Sequence, residues 1–483
     1  MKKVLFATSE AVPFIKTGGL ADVAGSLPRY FNKDEFDVRV IVPKYMCIEQ
    51  RWKDKMEYVN HFYMDLSWRQ QYVGILQTRY KGITYYFIDN EYYFAGFSPY
   101  GYIHEDIEKF AFYSKAVLSC LKVIDFRPDI IHCNDWETAL IPVYLKDSFS
   151  NDEFYRGIKT VISIHNLKFQ GRWDIKKTKD ITGLSADFFK PDKLEAYGDA
   201  NYLKGGIAYS DIIATVSKTY SEEIKTPYFG EGLDGLIKAR QGSLYGIING
   251  IDYESYNPLT DPYIPHKYGV SSFKWSRVKN KIKLQEKLGL DVGKNKFLIG
   301  IVSRLTEQKG FDLIGAVMDD LCSNQDLQMI VLGTGEEQYE NMFRHYEWKY
   351  PKQIKACIYF SEELSREMYA ASDAFLMPSL FEPCGLSQLI SLRYGCVPIV
   401  RETGGLKDTV EPYNEYEKTG TGFSFTNYNA NDMLSVIYYA RSIYIEKKRD
   451  WNKIIERGMK KDFSWEKSAK EYEALYNMLT PWL

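Results

Sequence analysis

Short apolar runs punctuate this chain. Most are closed by proline, glycine or a polar turn, and between them lie stretches whose apolar positions recur at helical spacing. In the first half, residues 3–8, 38–42, 83–89, 128–133, 160–164 and 212–216 read as buried strands. In the second half, residues 297–302, 328–332, 356–360, 374–377 and 398–400 do the same. Helical spacing follows or separates them. Val23, Leu27 and Tyr30 share one face, residues 110–123 and 311–317 are amphipathic, and Tyr472, Leu475, Tyr476 and Leu479 line a helix near the end. Strands alternating with helices predict α/β architecture with doubly wound parallel sheets. The pattern lapses around 245–262, where Asn257-Pro258 and Asp261-Pro262 interrupt a stretch poor in apolar residues. We read a domain crossover there, giving domains at 1–245 and 246–460 and a terminal helix at 461–483. Thr17-Gly18-Gly19-Leu20 recurs as Thr403-Gly404-Gly405-Leu406, which supports two domains of similar style.

In doubly wound sheets ligands bind beyond the carboxyl ends of the strands. Chemistry-bearing residues fall at those ends. After the first strand comes Lys16-Thr17-Gly18-Gly19-Leu20, where two glycines permit close backbone approach and a lysine adds positive charge. Asp135, His165 and Ser217 end later strands. In the second half, Arg304 and Lys309 lie on one strand-to-helix loop, so two cations can converge on one anion. Glu382 lies on another such loop, and Gly385, Leu386 and Ser387 lead into the next helix, whose first amides lack intrahelical acceptors. Residues 91–102 are rich in tyrosine and phenylalanine but broken by glycine and proline. Some of these rings are therefore expected to be exposed, as suits stacking on sugar faces.

Composition narrows the class. The chain has 483 residues, 45% of them hydrophobic, and a net charge of −2, which gives no basis for expecting nucleic acid or an anionic membrane as partner. Seven scattered cysteines, none in a CxxC pair, suit reduced thiols rather than a disulfide framework or a zinc site. No apolar stretch approaches the roughly 20 residues of a membrane span, and the apolar run at the N-terminus is too short for a signal peptide. A cytoplasmic location is expected.

The motifs Lys16–Leu20, His165-Asn166-Leu167 with Gln170-Gly171, Asn249-Gly250-Ile251-Asp252, Ser303-Arg304-Leu305 with Gln308-Lys309-Gly310, and the run from Phe381 to Gln388 resemble those of bacterial glycogen synthases, the group shared with plant starch synthases. They span nearly the whole chain in the family's order. The resemblance implies a GT-B fold: two Rossmann-like domains facing across a cleft, with the last helix crossing back to the N-terminal domain. Because the proposed donor groups come from both halves, hinge closure about 245–262 and the return near 460 is expected. It implies transfer of glucose, with retention of the α configuration, from ADP-glucose to the non-reducing 4-hydroxyl of an α-1,4-glucan. By the same resemblance Glu382, His165, Lys309, Arg304 and Asp135 are catalytic. Lys16, Gly18, Gly19, Asn249, Phe360, Gly385, Leu386 and Ser387 bind the donor, with Tyr359 a second candidate for the base. Tyr100 binds the acceptor. Neither a metal nor another cofactor is expected. UDP-glucose as donor, and a non-catalytic glucan-binding protein of the same fold, are the alternatives, and oligomeric state is left open. A two-domain sugar-nucleotide epimerase would not be expected to combine the Lys16 loop with an aromatic acceptor loop.

Overall fold

The structure is a computed structural model that describes residues 1–481. The chain divides into two compact units: Met1–Gly250 together with the stretch from Trp465 onward, and Ile251–Ser464. The division at Gly250 replaces the expected one at 245/246. That earlier cut would split the strand Leu244–Gly246, which pairs with Ile212–Thr215 and so belongs to the first sheet. The return falls at Trp465 rather than residue 461, and the last two residues of the expected terminal helix, 482 and 483, lie outside the described residues.

The first unit is built on a nine-stranded sheet. Its strands are β1 (Lys2–Ala7), β2 (Phe36–Pro43), β3 (Glu57–Leu66), β4 (Arg69–Tyr80), β5 (Ile83–Asp89), β6 (Ile130–Asn134) and β7 (Lys159–Ile164). After the short strands β8 (Arg172–Asp174), β9 (Glu195–Ala196) and β10 (Asp199–Asn201), which form a small sheet of their own, come β11 (Ile212–Thr215) and β12 (Leu244–Gly246). The order is β12-β11-β7-β6-β1-β2-β5-β4-β3. The run from β12 to β5 is parallel, and β4 and β3 add an antiparallel hairpin at one edge. The central strands are apolar and buried on both faces, as a sheet covered by helices requires. The first helix, Gly19–Ser26, stops sooner than the spacing of Leu27 and Tyr30 suggests. Pro28 has no amide to continue the ladder, and the chain tightens into a 3-10 turn over Leu27–Arg29. The helix Trp465–Leu479 packs on this unit. Tyr476 stacks on Phe31, and its hydroxyl lies 2.6 Å from Nδ1 of the buried His132.

The second unit carries a wholly parallel six-stranded sheet of β13 (Phe297–Val302), β14 (Leu327–Leu332), β15 (Ile354–Cys357), β16 (Ala374–Met377), β17 (Val397–Arg401) and β18 (Phe423–Phe425). Its order is β15-β14-β13-β16-β17-β18. Within the parallel run of each sheet the order reverses at one place: β1 lies between β2 and β6, and β13 between β14 and β16. Such switch points open a crevice beyond the strand ends, and this is where a ligand fits.

Candidate active site

The loops at the two switch points carry the residues singled out from the sequence. In the first unit, β1 leads to Glu10 and the Lys16–Gly19 loop, β6 leads to Asp135, and β7 to His165. Asp135 sits at φ +56°, a region costly for any residue other than glycine. There its carboxylate accepts the His165 amide at 2.7 Å and the Asn166 amide as well. Burial nevertheless pushes the Asp135 carboxyl up to about 7, against those two amides and with the charge of Glu10 adding to the shift. Its neighbour Glu137 is buried deeper and pushed well above the usual carboxylate range by burial and by the Asp135 charge.

The imidazole of His165 is oriented by Asn134. The Asn134 amide nitrogen donates to the Ala7 carbonyl at 3.0 Å, so its Oδ1 is the acceptor facing His165 Nε2 at 2.9 Å. Nε2 therefore carries the ring proton. Burial lowers the His165 pKa to about 4, so at neutral pH the ring is uncharged and offers Nδ1 as an acceptor. Ser217, also at a strand end, has a different task. Its hydroxyl caps the following helix by accepting the Tyr220 amide at 3.0 Å.

Two expectations about this unit need correction. The amides of Thr17 and Gly18 are not free for an incoming anion, because the Glu10 carboxylate accepts both. Lys16, expected as a mobile positive charge beside the loop, pairs with Asp22 at 2.7 Å in the first turn of the following helix. Gly19 starts that helix and is exposed. Tyr100, in turn, does not stand clear as a stacking platform. Its ring packs near Phe110, and its hydroxyl donates to Glu10 at 2.7 Å. Within 91–102 the structure exposes Tyr92, Phe97 and Tyr102, whereas Tyr93 and Phe94 are core residues on the short helix Glu91–Phe94. Glu10 is the buried carboxylate of this region that the sequence reading did not single out. Its position just past β1 was the available signal, since the rule that selected Asp135 and His165 applies to it equally. Asn249, at the end of this unit, is buried, and its amide oxygen has no hydrogen-bond partner among the described residues.

In the second unit, β13 leads to Arg304 and Lys309, and β16 leads to Glu382. The Lys309 ammonium lies 2.6 Å from Glu382 Oε2, which also accepts from Ser379 at 3.1 Å. The two loops are laced together: Gln308 accepts the Leu380 amide and donates to the Phe381 carbonyl, and the Arg401 guanidinium braces the Leu380 carbonyl at 2.7 Å. Gly310, at φ +73°, lets the Lys309 turn approach β16, where a Cβ would stand 2.1 Å from the Pro378 carbonyl oxygen. Gly404 and Gly405 of the repeated motif lie directly under Glu382, whose carbonyl accepts the Gly405 amide. Arg304 is exposed and has no side-chain partner among the described residues. Gly385, in the left-handed region at φ +76°, turns the chain into the helix Ser387–Arg393, with Leu386 at its cap position. The Ser387 hydroxyl bonds Tyr369 rather than capping that helix. Phe360 is 90% exposed and Tyr359 half-exposed, beyond β15.

Each unit is thus a doubly wound sheet with charged and polar groups gathered at its switch point. Comparison with known proteins gives this arrangement a class. The family described as starch synthase catalytic domain matches residues 3–239, and glycosyl transferases group 1 matches residues 281–457. The fold is that of the two-domain GT-B glycosyltransferases. The chain is 29% identical, with a TM-score of 0.90 and 99% of each chain covered, to the catalytic domain of starch synthase IV from Arabidopsis thaliana, a structure bound to ADP and acarbose. It is 66% identical to a glycogen synthase of Lachnospira eligens and 64% identical to one of Lachnoclostridium phytofermentans, covering 99% of this chain and 100% of each relative. The chain belongs to the glycogen synthase family, and its activity is transfer of glucose from a nucleotide sugar to a glucan.

Proposed function

We propose that the donor is ADP-glucose and the acceptor an α-1,4-glucan of glycogen, extended at its non-reducing 4-hydroxyl with retention of the α configuration. The observation that carries the choice of donor is the whole-chain likeness to a starch synthase structure bound to ADP. In this reading Lys309 and Arg304 take the diphosphate, the group whose charge grows as the glycosidic bond breaks. The first-turn amides after Gly385 add donors. Phe360 stacks on the base. Glu382 stabilises the positive charge that develops at the anomeric carbon, while Asp135 and the unprotonated Nδ1 of His165 accept from sugar hydroxyls. Asn249 supplies an amide oxygen still in need of a donor. Tyr100 belongs to the acceptor side, with exposed Tyr102 and Phe97 beside it in sequence.

Side-chain cations carry the leaving-group charge in this mechanism, and no step is assigned to a metal. No helix among the described residues is long and apolar enough to cross a membrane. The test is direct competition: glycogen is incubated with ADP-glucose and UDP-glucose carrying different labels. Preferential entry of the ADP-glucose label supports the reading, and preferential entry of the UDP-glucose label overturns the choice of donor.

A further inference from the structure

Glu10 is buried to 3% exposure, yet it stands at the crevice end of β1. Its carboxylate gathers donors from two separate segments. From the glycine loop it accepts the Thr17 amide, the Thr17 hydroxyl at 2.8 Å and the Gly18 amide at 3.3 Å. From the aromatic segment it accepts the Tyr100 hydroxyl at 2.7 Å, and that hydroxyl is also 2.9 Å from Ser9 Oγ. No lysine or arginine among the described residues forms an ion pair with it. The charge is therefore balanced only by these hydrogen bonds, which are of the strong, charge-assisted kind. A shift of Tyr100 must alter how firmly the carboxylate holds the Thr17–Gly18 backbone, and the converse holds too. Lys16 immediately precedes that backbone.

We propose that Glu10 is a positioning residue that couples the acceptor segment at Tyr100 to the donor loop at Lys16–Gly18, so that glucan binding and nucleotide binding strengthen one another. The inference rests on the assignment of those two segments to acceptor and donor. Coupling of this kind is reciprocal, because it is a free energy shared by two binding events. It also selects against wasted donor, since the loop is set best when an acceptor is present.

Calorimetry on the full chain tests it, with ADP titrated in the absence and presence of saturating maltoheptaose, and the reverse titration as a check. The wild-type protein is expected to bind ADP about fivefold or more tightly when maltoheptaose is present, within the usual range for coupled sites. Tyr100→Phe removes one bond to Glu10 and leaves three, so the protein should stay folded with a lower melting temperature and still bind ADP, and at maltoheptaose raised to saturate any weaker glucan binding the factor should fall below about twofold. Glu10→Ala should lose the factor in the same way. Glu10→Gln should rescue part of it, because a side-chain amide can accept from the two backbone amides and donate to both hydroxyls. An uncoupled wild-type protein, or a Tyr100→Phe protein with the wild-type factor, overturns the proposal. Absence of any maltoheptaose or ADP binding by the wild type would instead overturn the assignment of the segments themselves. Tyr100→Phe serves as the deciding variant if Glu10→Ala does not fold.

Discussion

The Lys309 ammonium and the Glu382 carboxylate form a 2.6 Å ion pair in which neither side chain is more than 15% exposed. One partner is assigned to the departing diphosphate and the other to the sugar, so the pair joins the two ends of the bond to be broken. Lys309→Ala should lower kcat/KM by roughly 10- to 150-fold, the equivalent of a charge-assisted contact of about 1.5–3 kcal/mol. It should also lower the melting temperature, because a mostly buried carboxylate loses its partner. Adding Glu382→Gln should restore much of the melting temperature and none of the rate. Recovery of rate in the double variant would contradict the assigned roles.

His165 should be neutral, with its proton on Nε2, throughout the working pH range. Nitrogen NMR of labelled protein at pH 7 should show Nε2 protonated and Nδ1 bare, and the same spectrum at pH 6. An imidazolium at pH 6 would contradict a pKa near 4.

Acid should destabilise the first unit through His132. Burial lowers its pKa to about 3 in the folded protein, while the unfolded chain titrates near 6.5. Below pH 6.5 the unfolded state binds a proton that the folded state refuses. Stability from this group is complete above pH 6.5 and is lost as pH falls toward 3, by about 1.4 kcal/mol per pH unit. His165 acts in the same direction, and Asp135, with its raised pKa, acts in the opposite one. Comparing wild type with His132→Asn removes those shared contributions. Between pH 7 and pH 5 the wild type should lose about 2 kcal/mol more than the variant in urea unfolding. Equal losses would show that His132 is not the responsible group.

Metal removal should leave the rate unchanged, since Lys309 and Arg304 are assigned the charge of the diphosphate. Dialysis against a chelator, followed by assay with and without added magnesium, checks this. A loss restored by magnesium would move that role to a cation.

Much of the architecture is legible in the chain because parallel strands buried on both faces appear as unbroken apolar runs. Asp135, His165, Arg304, Lys309 and Glu382 could be picked out because a strand end is visible in sequence. The β3–β4 hairpin was not. Its outer face carries His61, Tyr63 and Tyr72, and a bulge between Tyr58 and Asn60 breaks the two-residue period. Hydrogen bonds between distant segments were invisible for a different reason. Glu10 and Tyr100 are 90 positions apart, and only the folded sheet brings the carboxylate to the hydroxyl. Hence the glycine loop looked open to an anion, although a buried side chain already occupied two of its amides.

The central claim, retaining transfer of glucose onto the 4-hydroxyl of a glucan end, is tested most directly by proton NMR of one elongation step. Maltoheptaose and ADP-glucose are mixed with the protein, and the anomeric signals are followed as ADP accumulates. The account predicts maltooctaose with a new α-1,4 linkage, absent when Glu382→Gln replaces the wild type. A β linkage, a bond to another hydroxyl, or free glucose as the sole product would contradict it.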